Sequence, residues 1–242
     1  MNDRKVEYYY NFLVKEKFFP KKKNLIFHLN SIFGDIDFSN KNFLDIGGGI
    51  GLHSFYAASK GARQVLCLEP EADGSDRKVT KKFNYINKAL NYTNVALMNS
   101  TFQSYIFRDQ YDIISLHDSI NHLDEQSCIN LFTDKCSYEN YQKIFRKIYE
   151  IANKNAIIVI CDCTNSNFFG KFKMINPFSP TIEWHKHQSP EAWVSLLKEA
   201  GFIDPKIKWS SFNRLGNIGR FFLGNRFMSF FLQSHFCLIM RK

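Results

Sequence analysis

The sequence predicts an α/β fold built on a seven-stranded, mostly parallel sheet with helices on both faces, a final antiparallel strand and a helical N-terminal extension. Three observations predict it. From Asn42 onward, short apolar runs alternate with amphipathic stretches, the pattern of a parallel sheet covered by helices. The first run ends in a cluster of glycines that opens into a helix. The last helical stretch stops at Gly201 and is followed by two more strand-like runs.

Residues 1–40 read as two short helices split at Pro20, with apolar positions Phe12, Leu13 and Phe18, then Leu25, Ile26, Leu29 and Phe33. The core strands and helices follow in order. NFLDIG precedes the helix GLHSFYAASKGA, QVLCLE precedes a charged helix from Asp73 to Leu90, and NVALMN and YDIISLH precede a long helical region from Asp124 to Ala152. NAIIVICD is the fifth strand, EAWVSLLKEAGF a helix, and residues 203–209 and SHFCLIM the last two strands. Two stretches break the alternation, 164–189 and 211–233, and long irregular insertions in a compact domain usually carry function. Residues 1–242 read as one domain, with the extension at 1–40, a cofactor-binding half at 41–163 and the two insertions after it.

The chain has 242 residues, 45% hydrophobic and 23% charged, the balance of a globular domain. Its apolar runs fall far short of the ~20 residues that cross a bilayer. Nor does the N-terminus show a basic start, an apolar block and a cleavage site, so a cytoplasmic location is expected. The six cysteines form no CxxC pair, which argues against a zinc site or a disulfide frame. The net charge of +9 suits an anionic partner, or is a solubility surplus of lysine.

After the first core strand come Asp45, Ile46, Gly47, Gly48, Gly49, Ile50 and Gly51. Glycines let the backbone turn sharply and let a ligand approach the main chain. A dinucleotide GxGxxG starting at Gly47 would need glycine where Leu52 stands, so the pattern is DxGxGxG. A pyrophosphate rests on a helix N-terminus, whereas S-adenosylmethionine carries no phosphate and presents an amine and a carboxylate. Asp45 suits the amine. Glu69, twenty residues after Gly49 at the end of the second strand, suits both ribose hydroxyls.

FLDIGGGIG followed by VLCLE resembles motif I and the acidic motif after it in the class I, Rossmann-like methyltransferases that use S-adenosylmethionine. The resemblance runs on through YDIISLHDSINHLDE to LLKEAGF, over roughly residues 42–209. It implies the cofactor S-adenosyl-L-methionine, held by Asp45, Gly47, Gly49, Gly51 and Glu69. It also implies that Thr101 and Phe102 hold the adenine, with Thr101 standing where the family usually has Asp, and that Leu116 and His117 lie beside the methionine portion.

Methyl transfer is an in-line displacement that mainly needs alignment, and an alcohol acceptor also needs a base. His122, in the loop after the fourth strand, is one candidate, with the alternative that it only orders that loop. Asp118 and Asn121 share this loop and are candidate substrate contacts. Asn121 stands where some relatives carry a metal-holding Glu, so no metal is expected. The second concentration of chemistry is NPFSPTIEWHKHQSPEAW, 176–193, where Glu183, Trp184 and His185 read as substrate contacts and His187 as a second candidate base. Asp162 lies on the ligand edge and is placed to orient one of these histidines. The alternative is that Trp184 and Trp193 pack the insertion on the core. This segment is similar to one in methyltransferases encoded among bacterial capsule and O-antigen assembly genes. That points to a small anionic or sugar-containing acceptor.

In residues 214–232, Arg214, Arg220 and Arg226 interleave with phenylalanines. This suits peripheral membrane contact, or a helix packed on the core or in a homodimer. The leading reading is O-methylation of a sugar, nucleotide-sugar or phosphorylated precursor of a surface polysaccharide. No DPPY-like tetrad or Pro-Cys pair is present, which argues against methylation of nucleic-acid bases. Ribose or tRNA methylation and a non-catalytic cofactor-binding scaffold are the alternatives.

Overall fold

The structure is a computed structural model that describes residues 2–71 and 78–242. The seven strands occur in the order β3-β2-β1-β4-β5-β7-β6. They are β1 (Asn42–Ile46), β2 (Gln64–Leu68), β3 (Val95–Met98), β4 (Tyr111–His117), β5 (Ala152–Cys163), β6 (Ile203–Trp209) and β7 (His235–Arg241). By contact density the chain forms two compact units, Met1–His117 with Ala152–Ala156, and Asp118–Ile151 with Ile157–Lys242.

In the first unit β1 pairs in parallel with β2 on one side and β4 on the other, and β3 adds to β2. The strand order therefore reverses at β1, and a crevice at the carboxyl end of such a reversal is where open α/β sheets take ligands. The two N-terminal helices form as the sequence predicts, α1 (Asn2–Lys15) and α2 (Lys22–Phe33), broken around Pro20. Phe33, Phe38, Phe43 and Tyr56 make a buried aromatic cluster, with Phe33 and Phe38 centroids 5.5 Å apart. Helix α3 (Leu52–Ser59) follows the glycine turn, and the buried Tyr9 hydroxyl donates to the Leu52 carbonyl at 2.8 Å, tying α1 to its first residue. Helix α4 (Val79–Leu90) buries Val79, Phe83, Ile86 and Leu90, one stripe at helical spacing. Residues 73–77 of the helix expected from Asp73 lie outside the described residues.

In the second unit the helical region expected from Asp124 to Ala152 is two helices, α5 (Glu125–Ile129) and α6 (Lys135–Ile151). The reason is a second cap. The Asp134 carboxylate accepts from the Ser137 amide at 2.8 Å and hydroxyl at 2.7 Å, which restarts the helix and holds that carboxyl below its ordinary pKa. Insertion 164–189 contains the short helix α7 (Phe168–Lys171) and one turn of 3-10 helix at Trp184–Lys186. Helix α8 (Pro190–Ala200) starts with Pro190 behind the Ser189 cap and ends at Gly201, whose φ of 112° favours glycine. Trp193 on α8 packs in the core against Tyr141 and Phe145 of α6, at 5.2 and 5.9 Å between centroids. Insertion 211–233 folds into α9 (Gly216–Leu223) and α10 (Arg226–Phe231). Strand β7 runs antiparallel to both β5 and β6. Among the described residues no helix is long and apolar enough to cross a membrane.

Candidate active site

In the first unit, Gly47, Gly49 and Gly51 all take positive φ, at 68°, 54° and 83°. A Cβ on Gly51 would lie 2.6 Å from the Phe83 ring, so close packing as well as backbone freedom requires glycine there. Gly49 is different: nothing lies within 4 Å of its would-be Cβ, so that face of the turn is open. The Gly49 amide donates to Glu69 Oε2 at 2.9 Å, and the Glu71 amide donates to Oε1 at 3.2 Å. Glu69 thus braces the turn through both carboxylate oxygens.

Asp45 is fully buried on β1. Its Oδ2 accepts from Ser54 Oγ at 2.7 Å, and its Oδ1 has no hydrogen-bond partner among the described residues. Burial pushes its pKa up to about 6, against the pull of the Ser54 hydrogen bond and the nearby His117. Gly48 is wedged beneath, where a Cβ would fall 2.6 Å from Cys67 Sγ and 2.7 Å from Asp45 Oδ2. Leu116 is buried, and His117 at the end of β4 is half-buried. Thr101 is exposed, and its hydroxyl lies 2.7 Å from Ser104 Oγ in a local turn. Phe102 is buried with its ring 5.3 Å from Phe107, a wall of the core and not an open platform.

The structure also gathers three histidines that sequence separation hides, His28 of α2, His53 of α3 and His117. One ring nitrogen from each lies within 4.8 Å of the other two. His53 and His117 meet edge to face at 4.6 Å, and His28 and His117 at 5.5 Å.

In the second unit, Asp162 and His187 come together from β5 and insertion 164–189. His187 Nδ1 lies 3.0 Å from Asp162 Oδ1, which also accepts the Cys163 amide at 2.7 Å. Asp162 is almost fully buried, and burial raises its pKa while His187 opposes the rise. Its Oδ2 has no partner among the described residues. His122 is half-exposed, with Nδ1 3.3 Å from Glu125 Oε2. Glu125 Oε1 is 2.9 Å from Lys186, which is also 2.8 Å from Glu183. Glu125 and Lys186 therefore link His122 to the segment 183–187 in a single charge chain. Asp118 is exposed with φ of 51°, and its amide donates to the Cys161 carbonyl at 2.8 Å. Asn121 is buried, and its Oδ1 has no partner among the described residues. The buried Tyr141 hydroxyl donates to the Ile120 carbonyl at 2.9 Å and holds this loop from below. Trp184 is half-buried, close enough to α7 that a Cβ on Gly170 would lie 2.7 Å from its ring, while His185 points to solvent.

A family model described as a methyltransferase domain matches residues 21–204, most of the chain. The chain belongs to this family. It is an S-adenosylmethionine-dependent methyltransferase. No curated protein matches it in sequence. Solved structures share its fold at low identity. A candidate S-adenosylmethionine-dependent methyltransferase from Listeria monocytogenes has a TM-score of 0.58 at 13% identity, covering 92% of this chain and 99% of its own. An S-adenosylmethionine-dependent methyltransferase from Mesorhizobium loti has a TM-score of 0.58 at 12% identity, covering 85% and 93%. The N-methyltransferase NodS from Bradyrhizobium japonicum has a TM-score of 0.51 at 9% identity, covering 90% and 92%.

The first unit of the methyltransferase offers donors and acceptors that fit its cofactor. Asp45 Oδ1 is a buried acceptor without a donor, and the Gly49 face is an opening that a side chain would fill. Sequence reasoning missed Ser54, Gly48, Glu125, Lys186 and the approach of His28 and His53 to His117. Ser54 alone had a local signal, its place nine residues after Asp45 on the helix that follows the turn.

Proposed function

We propose that this methyltransferase methylates a hydroxyl on a small polar acceptor, a sugar, nucleotide-sugar or phosphorylated precursor of a surface polysaccharide, with His187 as the base. The observation that carries this reading is the His187–Asp162 pair, an imidazole held at 3.0 Å by a buried carboxylate. The Asp162 carboxylate accepts a hydrogen bond from Nδ1–H, which fixes the tautomer and leaves Nε2 as the ring's acceptor. When Nε2 takes the hydroxyl proton, the imidazolium that forms faces a carboxylate shielded from water, which lowers the cost of its charge. The cofactor supplies a methyl group on a positively charged sulfur. Asp45 and Glu69 would hold its amine and ribose hydroxyls, the glycine turn would allow the close backbone approach, and Leu116 and His117 would lie on the side of its methionine portion. Thr101 and Phe102 take the adenine side more weakly, because the Thr101 hydroxyl is engaged by Ser104 and the Phe102 ring is buried.

On the acceptor side, Glu183, Trp184 and His185 present a carboxylate, an aromatic ring and an imidazole, a combination suited to hydroxylated substrates. Asp118 and Asn121 add polar groups on the loop after β4. The Glu125–Lys186 link braces His122, which makes it a contact that orients and not the base. The similarity of residues 176–193 to methyltransferases of capsule and O-antigen loci supports the polysaccharide class.

Labelled cofactor offered to nucleotide-sugar extracts and to total RNA tests the acceptor class. Label in the sugar fraction is expected, and label confined to RNA would overturn it. His187→Ala should lower turnover by ~100- to 10,000-fold with cofactor affinity retained. Asp162→Asn should lower it less and shift the pH profile of kcat. Full activity in both variants would leave alignment alone as the source of rate.

A further inference from the structure

Helix α9 is built inside out. Leu215, just before it, and Ile218, Phe221 and Phe222 within it recur at spacings of three and four, the positions that normally face a core. Here they face solvent, with Ile218 75%, Phe221 80% and Phe222 65% exposed, and in α10 Phe227 is 71% exposed. A second apolar group lies just beyond α7, where Phe172, Met174 and Ile175 are exposed. The second group is tied to α10, the helix that follows α9. The Phe168 ring of α7 packs on Phe231 of α10 at 5.5 Å, and the buried Asn167 side chain donates to the Phe230 and Leu232 carbonyls at 3.2 and 3.1 Å. Asn176 adds a hydrogen bond to the Leu232 carbonyl at 2.6 Å. Exposed apolar side chains in such number on neighbouring segments mark an interaction surface.

The charge on this surface says what covers it. From Ser211 to Ser234 the sequence holds Arg214, Arg220 and Arg226 and no acidic residue, and from Thr164 to Ile182 it holds Lys171 and Lys173 and none. Lys171, Lys173, Arg214 and Arg220 are all exposed, and Arg226 is paired with Glu191 at 2.9 Å. A second copy docked by two-fold symmetry would set a mostly cationic patch against itself, with the Glu191 carboxylate already engaged by Arg226. An anionic bilayer matches both properties at once, because phenylalanines enter the acyl boundary while lysines and arginines meet the headgroups.

We propose that the face formed by α9, α10 and the segment after α7 docks on an anionic membrane surface. The methyltransferase then works at the bilayer, whatever its acceptor. Nothing in this inference depends on His187 or on the acceptor class, and its test needs neither.

The experiment is co-sedimentation of the full chain with vesicles of phosphatidylcholine alone and of phosphatidylcholine with about one third phosphatidylglycerol, at low and high salt. Strong binding to the anionic vesicles, weakened by salt, is expected. Phe221→Ser with Phe222→Ser should weaken it at least about tenfold, since each phenylalanine buries a large apolar area. Arg220→Gln with Arg214→Gln should weaken binding to anionic vesicles about tenfold or more and leave binding to neutral ones unchanged. These side chains are exposed, so near-ultraviolet circular dichroism and melting should match the wild type. Failure of the wild type to bind anionic vesicles would overturn the proposal. So would equal, salt-insensitive binding to both vesicle types. A dimer seen by light scattering that Phe221→Ser with Phe222→Ser abolishes, in a chain that ignores vesicles, would assign the face to a second copy.

Discussion

Asp45 offers a test in which stability and cofactor binding move in opposite directions. Its carboxyl has an ordinary pKa of 3.8 and is pushed up to about 6 by burial. The contribution it makes to stability is fully present below 3.8, where it is neutral in both folded and unfolded chains, and is lost as pH rises through about 6. The gap between the two values corresponds to about 3 kcal/mol, at ~1.4 kcal/mol for each tenfold step in proton affinity. Asp45→Asn keeps the shape and the Ser54 partner but cannot titrate. The melting temperature of the wild type without cofactor should therefore fall relative to this variant by about 6 to 12 °C between pH 4 and pH 7, at ~2 to 4 °C per kcal/mol for a chain of this size. Cofactor binding should run the other way. If the Asp45 carboxylate meets the ammonium group, wild-type affinity rises with pH up to about 6 and levels off above it, while the variant binds roughly 10- to 100-fold more weakly at pH 7. Melts at four pH values with and without S-adenosylmethionine, paired with calorimetry, measure both. A melting difference that stays constant from pH 4 to pH 7 would refute the buried-charge argument, and unaltered affinity in the variant would refute the role in binding.

Glu69→Ala should weaken cofactor binding by roughly 10- to 100-fold, because charge-assisted hydrogen bonds of ~1.5 to 3 kcal/mol are lost, and calorimetry reads this directly. Turnover on an identified acceptor is expected to survive EDTA, since Asn121 offers an amide where a carboxylate would hold a divalent ion; loss of activity restored by zinc would turn attention to His28, His53 and His117. Asn167→Ala should destabilise the second unit by about 1 to 3 kcal/mol, because its buried amide donates to the Phe230 and Leu232 carbonyls and to Ser234 Oγ, and the Phe230 carbonyl would lose its side-chain donor. A thermal melt within a degree of the wild type would show that water replaces those bonds.

The strands were legible because each is a short apolar run bounded by a turn residue, and all seven appear where the pattern puts them. The α5–α6 break was not, because Tyr138, Tyr141, Ile144 and Phe145 continue a helical stripe that hides the Asp134 cap in an otherwise periodic stretch. The glycine turn was legible for a physical reason: positive φ and close packing leave few alternatives at Gly51. Gly48 was less so, since its constraint comes from Cys67 on another strand. His117 was legible as a cofactor neighbour, but its grouping with His28 and His53 was not, because α2, α3 and β4 bring the three together only through tertiary packing. Insertion 164–189 announced its chemistry by composition, but the pairing of His187 with Asp162 and of Lys186 with Glu125 depends on how a loop without periodicity folds back.

Asp45 and Asp162 follow one physical rule in two places. Each is a buried carboxylate with one oxygen engaged by a side-chain donor and the other without a partner among the described residues, and in each burial raises the pKa. Such an oxygen costs stability in the resting chain, about 1 to 3 kcal/mol by the usual cost of an unmet buried acceptor. A core built for stability alone would replace both with apolar residues. On the proposed function each would be offset by a positive charge that arrives at it, the cofactor ammonium at Asp45 and the imidazolium of His187 at Asp162. On this argument Asp162→Asn should raise the melting temperature at pH values above the raised Asp162 pKa, where the wild-type carboxyl is charged, while lowering turnover, the same opposition expected of Asp45→Asn. If Asp162→Asn lowered both, the carboxylate would be a structural acceptor for the Cys163 amide and the His187 ring, and His187 would lose its claim as the base.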